Sequence, residues 1–149
     1  MTGTGRYAQG TDVPVDRSQQ EVAGLFRRYK IDTYAFGAER GRASVGFEFK
    51  GLPVRIGIPL PPRPEHAKMR NPETGRMIDA NARWEQEVKE SWRALVLLLK
   101  ANLEAVERGI VTVEQAFMAY LVAGDTTLGE MVLPRYLEQR EQFALGSGR

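Results

Sequence analysis

The sequence contains no cysteine, which excludes disulfides, thiolate catalysis and zinc–cysteine sites together. Its one histidine, His66, leaves no histidine metal cluster, and no Ser or Asp is spaced to work with it. No metal and no organic cofactor is expected. The apolar run around Leu97 falls well short of the ~20 residues that a membrane span needs, and charged residues flank it closely. No apolar h-region of a signal peptide stands at the N-terminus. These absences imply a soluble, cytoplasmic protein with no membrane partner. A dominant charge is also missing: 21 Lys/Arg stand against 19 Asp/Glu, a net of +2. Residues 1–80 hold 13 Lys/Arg and 9 Asp/Glu, whereas residues 81–149 hold 8 and 10. The N-terminal half is therefore mildly basic, and an excess of that size is not a nucleic-acid signature by itself.

What is present organises around residues 79–108. Trp84, Val88, Trp92, Leu95, Leu99, Leu103 and Val106 recur every three or four positions, the spacing of one helical stripe. No Pro or Gly interrupts the run, and Gly109 stands where a left-handed cap would end it. A length of 149 residues with 42% hydrophobic residues points to one domain. Its expected extent is 13–143, with flexible tails at 1–12 and 144–149. Val13-Pro-Val15 reads as an extended lead-in. Ser18-x-x-Glu21 has the form of a capping box, opening a helix whose apolar face is Val22, Leu25, Phe26 and Tyr29. Arg27, Arg28 and Lys30 suit either the negative end of that helix or a phosphate-contacting edge.

Residues 31–60 change to period two. Ile31 to Phe36 reads as a first strand and Gly37 to Gly41 as a turn. Ala43, Val45, Phe47 and Phe49 alternate with polar residues in a second strand. After the Lys50-Gly51 turn, Leu52, Val54, Ile56, Ile58 and Leu60 do the same in a third. The pattern is an antiparallel meander with one apolar face for the long helix, and Pro53 and Pro59 make the third strand either an edge or irregular at both ends. The other face carries Arg42, Ser44, Glu48, Lys50 and Arg55, with Gly46 and Gly57 leaving room for a close approach. It reads either as a solvated face or as a flat basic surface for a phosphate backbone. Residues 61–79 read as a long basic loop bearing Lys68, Arg70 and Arg76, either a connector or an arm around a polyanion. Thr112-x-x-Gln115 and Thr127-x-x-Glu130 predict caps for two shorter C-terminal helices. In the last of these Leu128, Met131, Val132, Tyr136 and Leu137 are expected to face inward. The fold class is α+β: N-terminal helix, three-stranded antiparallel meander, long core helix, two shorter C-terminal helices.

Catalytic signals are sparse. Glu48-Phe49-Lys50 places a carboxylate and an ammonium two apart on a strand. That pattern resembles the metal-dependent nucleases of the PD-(D/E)xK type, where carboxylates hold Mg²⁺ and the lysine positions water. Asp32 is the one upstream strand acid available as a second ligand. The acids of the long helix pair with bases four residues on, as in Glu85–Lys89 and Glu104–Arg108, which marks a solvated face rather than a metal site.

The combination of Val13-Pro-Val15, Arg17-Ser18, Arg28-Tyr29 and Trp92-Arg-Ala-Leu-Val-Leu-Leu-Leu-Lys100-x-x-Leu-Glu104-x-Val-Glu107 resembles a family of small uncharacterised phage and prophage proteins. That resemblance implies a phage or mobile-element setting and assigns no catalytic residue. Three strands followed by a long helix also resemble the core of single-strand annealing proteins, at the level of topology. The leading expectation is a non-enzymatic nucleic-acid-binding protein, for single-stranded DNA, in phage replication or recombination. Arg42, Lys50, Arg55, Lys68, Arg70 and Arg76 would neutralise phosphates, and Tyr34 or Trp84 would stack on bases. The alternatives are an oligomeric protein-interaction subunit, binding a host or phage protein, and a Mg²⁺-dependent nuclease using Glu48, Lys50 and Asp32.

Overall fold

Helix α1 spans Asp16–Arg28 and buries Val22 and Phe26 on one face. In the computed structural model residues 15–146 are described. The expected tail at 1–12, the lead-in at 13–14 and residues 147–149 lie outside them. Residues 144–146, expected as tail, continue the last helix. Helix α1 starts two residues before Ser18 and has no side-chain cap at Val15, so the expected capping box is not formed. Glu21 is 3.3 Å from Arg93 of the long helix instead, and Asp16 supplies the negative charge that suits the first turn.

Lys30, at φ 60°, turns the chain into a three-stranded antiparallel sheet in the order β1-β2-β3. Its strands are β1 (Tyr34–Glu39), β2 (Arg42–Phe49) and β3 (Leu52–Pro59). The first strand begins three residues later than its apolar pattern suggests and runs through Gly37. The turn is confined to Arg40 and Gly41, the latter at φ 73°. Gly37 serves packing: it pairs with Ser44, and a Cβ there would stand 2.6 Å from the Ser44 Oγ. Edge strand β3 is met beyond its free side by one bridge, Val54 to Leu121.

The expected irregular segment 61–79 contains a two-stranded ribbon, β4 (Lys68–Arg70) paired with β5 (Met77–Asp79). The reason is local turn chemistry. The Asn71 side-chain carbonyl accepts from the Glu73 N–H at 2.8 Å and from the Thr74 N–H at 3.4 Å, and Gly75 takes φ 70°.

Helix α2 follows directly as Ala80–Glu107, with the Asp79 carboxylate accepting from the Ala82 N–H at 3.1 Å. Every residue of its expected stripe is buried. Trp92 meets Phe36 edge-to-face at 5.9 Å, and Phe47 meets Phe26 of α1 at 4.8 Å, so both helices lie on the same face of the sheet. Helix α1 runs parallel to α2: Glu21 reaches Arg93, and eight residues on, the Tyr29 hydroxyl donates to Glu104 at 2.7 Å. Gly109, at φ 72°, ends α2.

Short helix α3 (Val113–Phe117) carries both halves of the Thr112/Gln115 capping box. Its Phe117 closes the core against Phe47 at 5.6 Å. A 3₁₀ turn (Met118–Tyr120), a hairpin of β6 (Val122–Ala123) and β7 (Thr126–Thr127), and helix α4 (Leu128–Gly146) complete the α+β chain. The Thr127 Oγ1 accepts from the Glu130 N–H at 3.4 Å, as its position before the helix suggests.

Candidate interaction surfaces

The residues singled out on the meander do not form one site. Tyr34 and Lys50 lie where β1 begins and β2 ends, while Arg42 opens β2 at the other end, about 25 Å away along an eight-residue strand. The β4–β5 ribbon lies at the Arg42 end. It leads straight into α2, whose Trp84 indole N–H donates to the Pro61 carbonyl just beyond β3 at 3.0 Å.

At the Arg42 end, Arg42 and Arg55 share a hollow of about 250 Å³ on the outer face of the sheet with Glu39, Asp125 and Glu130. The Arg42 guanidinium lies across Gly57, occupying the space a side chain there would fill. Arg55 donates to the Asp125 carbonyl at 3.0 Å. The Glu130 carboxyl is held below its ordinary range by a hydrogen bond from Thr126, with the charges of Arg42 and Arg55 adding to the effect. Two guanidiniums thus share this hollow with three carboxylates. Its glycine admits the protein's own arginine, and the cluster ties the β6–β7 hairpin and the start of α4 to the sheet.

The two aromatic candidates are engaged. Trp84 is buried and carries the Arg63 guanidinium 5.0 Å above its ring, so the expected open face for a base is covered. Tyr34 points to the inner side of the sheet, 5.1 Å from Phe26 and 5.9 Å from Phe36, and is half exposed at the sheet edge. The Glu48–Lys50 pair does not present two groups side by side. Lys50 has left the strand at φ 48°, and its ammonium sits 5.6 Å from the Phe49 ring centre. Among the described residues no three His, Asp or Glu side chains are grouped to hold a metal ion. Lys68, Arg70 and Arg76 remain exposed on or beside the ribbon, with Met77 exposed between them. Arg70 reaches the Gly75 carbonyl at 3.5 Å.

The surface that departs furthest from expectation is α4. Its residues Met131, Val132, Tyr136 and Leu137, expected to face inward, are exposed, and Leu128 is half buried. None of the 19 residues of α4 is buried. The first half of the helix, Leu128–Leu137, holds only Glu130 and Arg135 as charges and is apolar nearly all round, a composition that belongs to a covered helix. Val132, Leu133 and Tyr136 form one wall of an open cleft of about 460 Å³, and Ala116, Met118, Ala119 and Tyr120 form the other. Gly129 seats α4 at the base of the cleft, because a Cβ there would stand 2.7 Å from the Ala119 carbonyl oxygen. The sequence signal that finds this surface is the all-round apolar character itself: a stripe buried by the chain's own core leaves a polar remainder, and this half-helix has almost none.

No helix of the described residues is long and apolar enough to cross a membrane. No protein family, curated protein or solved structure matches the chain.

Proposed function

We propose that the chain is a non-enzymatic assembly subunit whose working surface is the first half of α4 together with the cleft beside it. The observation that carries this reading is the exposure of Met131, Val132, Leu133, Tyr136 and Leu137, each at least 43% open, on consecutive turns of one helix. Contiguous apolar surface of this kind marks interaction sites on soluble proteins, and a cleft between two helical walls suits an amphipathic helix laid into it. Hydroxyl-radical labelling of Met131 and Tyr136 tests the reading in cells that naturally carry the chain. Both residues are expected to be shielded there and reactive in the purified chain at high dilution. Equal labelling in the two settings would refute a docking role.

A second reading is binding of a polyanion, single-stranded DNA by preference, in a phage or mobile-element setting. It is favoured by one feature, the exposed cations Lys68, Arg70 and Arg76 on a protruding two-stranded ribbon. If these three neutralise phosphates, replacing all three by Ala lowers the salt dependence of oligonucleotide binding by about 2 in log K per log salt, from ~0.7 per single-strand contact. No binding of a labelled oligonucleotide at low salt would end this reading and leave the first intact.

A further inference from the structure

We infer that the free edge of β1 is a docking strand for an extended, acid-bearing peptide segment of another protein, which joins the sheet antiparallel as a fourth strand. The two edges of the sheet differ. Strand β3 carries Pro53 and Pro59 and is met by the bridge from Leu121, features that keep an edge from pairing further. Strand β1, Tyr34-Ala-Phe-Gly-Ala-Glu39, holds no Pro, no Lys and no bulge. Among the described residues no strand pairs with its other side. Its backbone parity identifies the groups left over. Glu39 and Arg42 close a two-residue turn, and the Glu48 N–H donates to the Thr33 carbonyl at 3.0 Å. Residues 33, 35, 37 and 39 therefore exchange hydrogen bonds with β2, while the N–H and C=O groups of Tyr34, Phe36 and Ala38 point away from it. Three residues in register, each offering a donor and an acceptor, are what strand addition uses.

The surroundings of this edge specify what the segment carries. The side chains of Tyr34, Phe36 and Ala38 lie on the inner side of the sheet, Tyr34 40% exposed, Phe36 half buried and Ala38 exposed, so the core is not sealed along β1. A strand bonded to these residues sets alternate side chains beside theirs, and apolar ones opposite Ala38 and Phe36 complete the cover. At the Tyr34 end lies a hollow of about 330 Å³ lined by Ala23, Arg27, Lys30, Ile31, Asp32 and Tyr34. Two cations share it with one carboxylate, and among the described residues neither Arg27 nor Lys30 is in an ion pair. An acidic side chain opposite Tyr34 supplies the missing charge. The antiparallel direction, used throughout this sheet, is the more stable per residue, and it places the acid towards the C-terminal end of the segment.

The test uses the synthetic peptide acetyl-Thr-Val-Thr-Val-Thr-Asp-Thr-amide, whose two valines and aspartate fall opposite Ala38, Phe36 and Tyr34. Amide hydrogen exchange of the full chain, followed by NMR, reads its binding. The peptide is expected to slow exchange of the Tyr34, Phe36 and Ala38 amides at least tenfold and to leave the Ala35 and Gly37 amides, already bonded to β2, unchanged. N-methylation of the second valine removes the N–H aimed at the Phe36 carbonyl, and lysine in place of the aspartate reverses the charge at the hollow. Each change is expected to weaken binding at least tenfold. Arg27→Glu, at an exposed position, is expected to shift the preference from the aspartate peptide to the lysine one. No slowing of the three amides at about 1 mM peptide, the weak end of specific binding, overturns the proposal. So does equal binding by the N-methylated peptide, or by the lysine peptide. Protection of the same amides without any peptide overturns it as well, because the edge is then filled by the chain itself or by a second copy.

Discussion

The Tyr29 hydroxyl joins the end of α1 to α2 through Glu104, which also accepts from the Arg108 Nε at 2.9 Å. The Tyr29 bond, with Arg108 adding, holds the Glu104 carboxyl below its ordinary value of 4.5, and the bond to Glu104 raises the Tyr29 hydroxyl above 10.0. For the lowered carboxyl the stabilisation is complete above the ordinary glutamate value and is lost as pH falls through the lowered one. For the raised phenol it is complete below the ordinary tyrosine value and is lost as pH climbs through the raised one. Tyr29→Phe removes the bond. The variant should therefore be less stable than wild type at about pH 7, with the gap narrowing towards about pH 3. Urea midpoints at the two pH values check this, and an unchanged gap would contradict it. At this scale the sequence suggested only a generic Glu104–Arg108 helix pair. The link to Tyr29 spans 75 positions, and no local pattern carries a contact of that range. Trp84 reads as open to a base for a similar reason, since the Pro61 carbonyl and Arg63 that cover it arrive from a segment with no period to read.

Among the elements, those with strict period were legible. The α2 stripe from Trp84 to Val106 and the alternation in β2 and β3 follow from side chains that must share one buried face. Elements set by turn chemistry or glycine were not. The β4–β5 ribbon depends on an Asn71 turn, and β1 continues through a glycine that reads as a breaker. Helix α4 shows the deeper limit: its apolar residues were legible, but an apolar pattern specifies that a face is covered and not which chain covers it. The seating of α4 rests on Gly129. Gly129→Ala places a methyl group against the Ala119 backbone carbonyl, and overpacking of that kind costs typically about 1–3 kcal/mol. The cost should fall on the attachment of α4 alone. Limited proteolysis is expected to cut residues 128–146 faster in the variant, while the thermal transition of the α1–sheet–α2 core is unmoved. A matching loss of core stability would place α4 within the core after all.

At the scale of the whole molecule, two helices and a closing aromatic turn cover one face of a three-stranded sheet. The outer face is tied by Arg42 and Arg55 to the hairpin that launches α4. At that end of the outer face the acidic neighbours Glu39, Asp125 and Glu130 surround the two arginines. On the two proposed functional readings, the surfaces offered to other molecules lie off the faces of the sheet on its two projections, the ribbon at 68–79 and the apolar helix at 128–146. The central claim is that α4 is covered in the working molecule. Hydroxyl-radical labelling of Tyr136 on wild type and Leu133→Asp, both in cells that naturally carry the chain, addresses it most directly. Leu133 is exposed within one chain. Tyr136 is expected to be labelled at least tenfold more in Leu133→Asp than in wild type, with buried Trp92 equally protected in both. Labelling of wild-type Tyr136 in cells equal to that of the purified chain at high dilution would contradict the claim, because a covered helix face is closed to solvent.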